Sequence, residues 1–340
     1  MSLSEKEKKI LESITVASEN DPLKPEFPAD DPKFPATPTV QIQVPGFSNV
    51  WLKDESKNPT GTHKDRMAWE IVVTYRDFLL AKERSQIADD LPIMSIISSG
   101  SAAFAIQTQL RKYELPNLKV LVDIHIDSEI VSSLRKIGCE IYETDLSKAP
   151  LQFRDILALT NNHKGVDITS SQALDPRTRF YDWLSYEIIN SSPEYCFVPF
   201  GTGNLYENIL NINKKEVSTD AHDNRFSGDI EILRQCNFIG VTTNSPRSKA
   251  VKLYSPHLPF VHFDEQWIQF YRQAGFCGNM SGVRILEEKY LEQAYKIAKS
   301  QNIDCEYSGI AGLGMLLQMH NEISKDAKIL IVNTGKVKYE

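Results

Sequence analysis

Cysteine is scarce and scattered in this 340-residue chain: Cys139, Cys196, Cys236, Cys277 and Cys305 are an odd number and include no C-x-x-C pair. That spacing excludes a disulfide framework or a cysteine zinc site and reads as the reduced thiols of a cytoplasmic protein. Long apolar runs are missing too. None approaches the roughly 20 residues that a membrane-crossing helix needs, so no membrane partner is expected. Residues 1–20 are charged and lack an apolar core with a cleavage site, so they do not read as a secretory signal. Nor is there an excess of positive charge: 38 Lys and Arg stand against 45 Asp and Glu, a net charge of -7. A protein built to grip nucleic acid or an anionic membrane is thereby excluded. The closest histidine pair, His257 and His262, flanks Pro259 without companion ligands, so no metal is expected.

What is present is an ordinary globular composition, 41% hydrophobic and 24% charged, in a chain long enough for one large or two medium domains. A leader from Asp21 to Pro45 carries seven prolines. It cannot be a helix interior or a central strand and should lie extended over a surface. Beyond it, short apolar runs bounded by turns predict buried strands at Ile93–Ile97, Val120–Ile126, Glu140–Glu143, Tyr195–Pro199, Phe238–Thr242 and Lys328–Val332. Amphipathic stretches predict helices at Ala102–Lys112, Ser128–Ile137, Leu151–Asn161, Arg179–Ile189, Leu205–Ile212, Gly282–Ser300 and Gly309–Ile323. Lys214–Gly228 reads as a surface excursion. Strand and helix in alternation imply an α/β fold with mostly parallel sheets, in which ligands sit where strand ends meet helix starts.

Five segments carry chemistry. Lys64 ends the polar run Lys57-Asn58-Pro59-Thr60-Gly61-Thr62-His63 and opens a helical stretch that continues through Met67–Val73. The N–H groups of a helix start disfavour an ammonium and favour a nucleophilic amine; alternatively, Lys64 is a solvated helix-start lysine. Ser98-Ser99-Gly100-Ser101-Ala102 stands between a strand and a helix, where small residues let backbone amides meet an anion such as a carboxylate. A plain capped helix start would look the same. Gly201-Thr202-Gly203-Asn204-Leu205 repeats that layout. It is neither a dinucleotide fingerprint, since Tyr206 takes the third glycine position, nor a Walker loop. It fits a monophosphate cup, or else a tight turn without ligand. Glu306-Tyr307-Ser308-Gly309 starts a glycine-bearing helix, and Thr334 places a hydroxyl at the end of the last strand; helix packing and a turn are the alternatives. An amine, a carboxylate loop, a phosphate cup and a strand-end hydroxyl together are what pyridoxal 5'-phosphate requires.

At this point Lys53-Asp54-Glu55-Ser56, followed by Asn58-Pro59-Thr60-Gly61-Thr62-His63-Lys64-Asp65-Arg66, closely resembles the lysine motif of the fold type II pyridoxal-phosphate enzymes. That family includes threonine synthase, threonine and serine dehydratases, cysteine synthase and the tryptophan synthase β chain. The resemblance runs from about Trp51 to the C-terminus. It implies two three-layer α/β/α domains with the cofactor in the cleft between them: residues 1–54 and 176–340 as the large cofactor-binding domain, and 55–175 as a small mobile substrate domain. It implies Lys64 as the Schiff-base lysine, with Ser101, Gly201, Thr202, Gly203, Asn204, Leu205, Glu306 and Thr334 also touching the cofactor. Ser98, Ser99, Gly100 and Ala102 would hold the substrate carboxylate. The family's habit implies a homodimer and a small amino-acid substrate.

Two departures stand out. Ser101 occupies the place where the family's loop usually carries asparagine, and Thr334-Gly335-Lys336-Val337-Lys338 resembles a threonine synthase ending that has lost a glycine. A threonine hydroxyl against the ring nitrogen favours elimination from Cβ over transamination. Arg177 and Arg179 fall where threonine synthase places a phosphate-binding arginine, although a solvated helix start explains them equally. The reaction expected is a lyase reaction like that of threonine synthase on O-phosphohomoserine. A threonine/serine dehydratase or a cysteine synthase-like replacement enzyme is the alternative, and a catalytically weakened binding homologue is the alternative of another class.

Overall fold

The structure, a computed structural model, describes residues 3–19, 35–87, 90–148, 151–169, 180–254 and 265–339. Arg177, Arg179, His257, His262 and most of the proline-rich leader lie outside the described residues. In chain order the regular elements are α1 (Glu5–Glu19), β1 (Thr39–Gln41), β2 (Val50–Asp54), α2 (Lys64–Glu83), β3 (Met94–Ile97), α3 (Ser101–Lys112), β4 (Lys119–Asp123), α4 (Ser128–Ile137), β5 (Glu140–Thr144), α5 (Phe153–Leu159) and β6 (Val166–Asp167). There follow α6 (Asp182–Ile189), β7 (Tyr195–Pro199), α7 (Asn204–Val217), α8 (Ile230–Gln235), β8 (Asn237–Thr242), α9 (Glu265–Gln273), β9 (Gly282–Ile285), α10 (Glu288–Ser300), α11 (Ala311–Gln318) and β10 (Ile329–Asn333).

The chain forms two compact units. One comprises Met1–Ala36, Lys64–Phe180 and Lys338–Glu340; the other comprises Thr37–His63 and Tyr181–Val337. The division expected from the sequence, at 54/55 and 175/176, differs from this one in residues 1–36, 55–63, 176–180 and 338–340. Helix α1 packs on α2, drawing the N-terminal segment to the first unit. Residues 61–63 hydrogen-bond to 334–336 and so group with the second.

The first unit holds a four-stranded sheet in the order β5-β4-β3-β6, parallel throughout, with Ser95 opposite both Lys119 and Asp167. The second holds a six-stranded sheet in the order β1-β2-β10-β7-β8-β9. All its pairings are parallel except that of β1 with β2. Parallel strands covered on both faces read as continuous apolar runs, and β10 (Ile-Leu-Ile-Val-Asn) is buried at every position. Its Ile329 and Ile331 meet Leu52, Phe197 and the apolar faces of α10 and α11 in one core. Each such side chain fully buried contributes about 1.5–3 kcal/mol.

Two local expectations are corrected. The helix predicted over Gly282–Ser300 is a strand followed by a helix: Gly282–Ile285 pairs with β8, and α10 begins at Glu288 after the extended Glu287. An open sheet edge captured the β-branched Val283-Arg284-Ile285 run before a helix could form there. Within Lys214–Gly228, the first four residues continue α7 to Val217. From the leader, Thr39–Gln41 forms β1, an edge strand exposed along its whole length, as its polar neighbours and prolines allow.

Candidate active site

In the second unit, β2, β10 and β7 lie side by side, so their C-terminal ends open at the same edge. Each end carries one of the segments singled out by sequence. Asp54 at the end of β2 leads into a single 3-10 turn (Glu55–Lys57), and its side chain accepts a hydrogen bond from the Ser56 amide. Within this turn the buried Glu55 carboxylate accepts from Thr37 Oγ1 and from Asn58 Nδ2, the latter at 2.7 Å. Asn58 Nδ2 also donates to the Thr62 carbonyl at 3.0 Å, so one amide group ties both ends of the loop. The loop then lies along the end of β10. Thr62 bridges Gly335, the His63 amide donates to the Thr334 carbonyl at 3.2 Å, and the Lys336 amide donates to the Gly61 carbonyl at 2.9 Å. Lys64, next in the chain, is half-buried and is the first residue of α2. A side chain at the first position of a helix is held by the loop that precedes it, and here that loop is tied by the Asn58 amide and by two backbone bonds to the end of β10.

Glycines make this close approach feasible. Gly335 sits at φ +90°, and a Cβ there would lie 2.0 Å from the Gly61 carbonyl oxygen. A Cβ on Gly309 would lie 2.5 Å from the Gly335 oxygen. The Thr334 amide donates to the Gly309 carbonyl, and the Glu306 amide donates to the Gly335 carbonyl. Thr334 is half-buried, and its hydroxyl makes no hydrogen bond among the described residues.

The end of β7 turns at Phe200–Gly203 into α7. Gly203 is its N-cap, at φ +91°, with no side chain to occupy the first-turn amides. Those amides have no intrahelical acceptor and carry the positive end of the helix dipole. Gly201 is pressed from behind, since a Cβ there would meet the Lys252 carbonyl oxygen at 2.9 Å. Lys252 also sends its ammonium to Glu306, with Nζ 2.6 Å from Oε2. One residue thus connects the glycine turn with the start of the Glu306–Gly309 segment. The sequence offered no sign of it, because an isolated lysine in an irregular stretch has no pattern.

In the first unit, Ser98–Gly100 joins β3 to α3. Ser98 Oγ, buried, accepts from the amides of Gly100 at 3.1 Å and Ala103 at 3.2 Å. Gly100 caps the helix at φ +122° without a side-chain bond. The first-turn amides of Ser101 and Ala102 have no acceptor within the helix. Ser99 is exposed, while Ser101 and Ala102 are half-buried.

A bare-glycine helix cap, a strand-end hydroxyl and a lysine at an anchored helix start fit a phosphorylated aldehyde with a ring nitrogen. The family profile described as pyridoxal-phosphate dependent enzyme matches residues 33–335. The chain belongs to that family. Its cofactor is pyridoxal phosphate. Cysteine synthase B of Escherichia coli (strain K12) is 29% identical over 134 residues, which are 38% of this chain and 41% of that protein. The chain therefore spans less than half the length of this curated relative.

Solved structures share the fold. Diaminopropionate ammonia lyase from Escherichia coli superimposes with a TM-score of 0.63 at 15% identity, covering 99% of this chain and 90% of its own. O-ureido-L-serine synthase gives 0.62 at 14% identity, with 88% and 89% covered. A hydrogen sulfide-producing enzyme from Fusobacterium nucleatum gives 0.59 at 16% identity, with 100% and 98% covered.

The five cysteines are buried and unpaired with one another. Burial pushes the Cys139 thiol up to about 12 and the Cys305 thiol to about 11, so neither offers a thiolate for catalysis. Among the described residues no helix is long and apolar enough to cross a membrane.

Proposed function

We propose that this protein is a pyridoxal-phosphate dependent lyase that acts on an amino acid by elimination or replacement at the carbon chain, with O-phosphohomoserine as its substrate and threonine as its product. The observation that carries the reading is the bond from the His63 amide to the Thr334 carbonyl, which ties the lysine loop to the strand end bearing the hydroxyl. When bound, the cofactor supplies an electron sink for charge developing at the substrate's Cα. Lys64 would hold its aldehyde carbon and, once freed by the substrate amine, take the Cα proton as general base. The amides at the start of α7 would hold its phosphate, and the Thr334 hydroxyl would donate to its ring nitrogen. A hydroxyl there leaves the ring unprotonated, which favours elimination over transamination. With O-phosphohomoserine, phosphate would leave from Cγ and water would add with its hydroxyl on Cβ, giving threonine and phosphate. The amides of Ser101 and Ala102 would hold the substrate carboxylate.

The test begins with the purified protein incubated with pyridoxal phosphate. A visible absorbance band that borohydride removes, and that Lys64→Ala lacks while remaining folded, is expected. A protein that takes up no cofactor would instead be a binding homologue. Phosphate release from O-phosphohomoserine is expected, whereas keto acid from threonine or serine would identify a dehydratase. A second reading, replacement at Cβ with a thiol or sulfide nucleophile, draws on the likeness to cysteine synthase B. Thioether or cysteine formation from an O-activated serine, without phosphate release from O-phosphohomoserine, would favour it.

A further inference from the structure

The last described residue of the first unit has a side chain that reaches back to the loop at the start of α3. Tyr339 packs its ring edge-on against Phe104, with centroids 5.0 Å apart and planes at 79°. Phe104 lies one turn into α3 and is 4% exposed. The phenol continues past it to Gly100. A Cβ on Gly100 would lie 2.6 Å from the Tyr339 hydroxyl, 3.6 Å from its Cζ and 2.8 Å from Ile130 Cγ2 on α4. The space that a side chain on Gly100 would fill is therefore filled by Tyr339 and Ile130.

Gly100 is under two constraints at once. Its φ of +122° is open to glycine alone, so the backbone there is also the most easily rearranged point of the loop. Nothing within a glycine limits that freedom; only neighbours do. From one side Ser98 Oγ accepts the Gly100 amide. From the other the phenol and Ile130 close on Cα. The next two residues, Ser101 and Ala102, carry the first-turn amides, and their direction depends on the Gly100 backbone. Ser101 has one rotatable bond to its hydroxyl and cannot brace the loop through a longer side chain.

We propose that Tyr339 is a positioning residue for substrate binding: by backing Gly100 and Phe104 it holds the Ser101 and Ala102 amides converged on the substrate carboxylate. This rests on the reading of Ser98–Ala102 as the carboxylate loop given above. Tyr339 itself touches no reacting atom. Its effect falls on binding through the loop, so its loss raises KM more than it lowers kcat.

The test uses the full chain and two variants. Tyr339→Ala removes the backing, whereas Tyr339→Phe keeps the ring on Phe104 and the Cζ position facing Gly100. Amide hydrogen exchange is measured first without cofactor or substrate. Tyr339→Ala should speed exchange at Gly100–Ala103 by about tenfold while exchange in β3, β4 and the second half of α3 stays at the wild-type rate. Tyr339→Phe should stay within about twofold of wild type. No change at Gly100–Ala103, or a rise spread over the whole unit, overturns the proposal. KM for O-phosphohomoserine should then rise about tenfold in Tyr339→Ala with kcat lowered less, and recover in Tyr339→Phe. If exchange responds and KM does not, the loop is not the carboxylate site and the positioning role in binding falls. If the wild-type protein turns over no O-phosphohomoserine, the proposed substrate fails, while the exchange result still decides whether Tyr339 holds the loop.

Discussion

Asn333 Nδ2 donates to Asp54 Oδ1 at 2.9 Å across the ends of two adjacent parallel strands, although the two residues are 279 positions apart in the chain. Both side chains are buried, and each makes further bonds: Asn333 Nδ2 to the Asp304 carbonyl, Asn333 Oδ1 from the Gly335 amide, and Asp54 Oδ1 from Ser56 Oγ at 2.6 Å. One amide group therefore sets where both the lysine loop and the Thr334 strand end leave the sheet. Asn333→Ala would leave a buried carboxylate with a lost donor. Urea denaturation is expected to show a loss of about 1–3 kcal/mol, with Asn333→Asp costing more because two carboxylates would then face each other.

Gly335→Ala places a methyl group 2.0 Å from the Gly61 carbonyl at a φ of +90°. Backbone must move, and the bridge from Thr62 to Gly335 breaks with it. A stability loss of about 2 kcal/mol or more is expected. Cofactor titration by absorbance should show weakened uptake, since the Lys64 loop loses its seat. Uptake equal to wild type would refute that dependence.

Lys252 and Glu306 are paired at 2.6 Å, but their side chains remain 28% and 27% exposed. Solvent screening keeps the pair's contribution to stability small, and Lys252→Met should change the unfolding free energy by less than about 1 kcal/mol. Its effect on the cofactor is larger. Removing the cation leaves the Glu306 carboxylate uncompensated near the glycine turn proposed to hold a phosphate. The dissociation constant for pyridoxal phosphate should rise several-fold in Lys252→Met and fall back in Lys252→Met/Glu306→Gln, measured by fluorescence titration.

Helix α1 is fastened to α2 by Glu7, whose Oε1 accepts from Lys82 Nζ at 2.7 Å. The Lys82 hydrogen bond, helped by the Ser4 amide, holds the Glu7 carboxyl down to about 2. A carboxyl lowered on folding stabilises the protein above its unfolded value near 4.5 and loses that contribution as pH falls toward about 2. Wild type should therefore exceed Lys82→Met in stability at pH 6, with the difference shrinking between about pH 5 and about pH 2. A difference constant over that range would exclude the ionised pair as its source.

Much of the fold could be read along the chain. Continuous apolar runs such as Ile329–Val332 and Tyr195–Pro199 announce parallel strands covered on both faces, and both are strands. Gly282–Ile285 could not be read, because a four-residue segment before a long amphipathic helix takes its conformation from the sheet edge it meets. The Asn58–Arg66 run was the sharpest site signal, since its turn residues and helix start are contiguous. Asn333, Asp54, Lys252 and Tyr339 gave no sign of their partnerships, because each partner is remote in sequence.

The sequence by itself determined the family, through the lysine motif and the strand–glycine–helix turns, because those are local patterns dictated by local backbone needs. Only the tertiary structure decided which strand ends adjoin, that Gly309 and Gly335 must both be glycine, and that Tyr339 backs Gly100. Those relations depend on packing between segments that no spacing along the chain encodes.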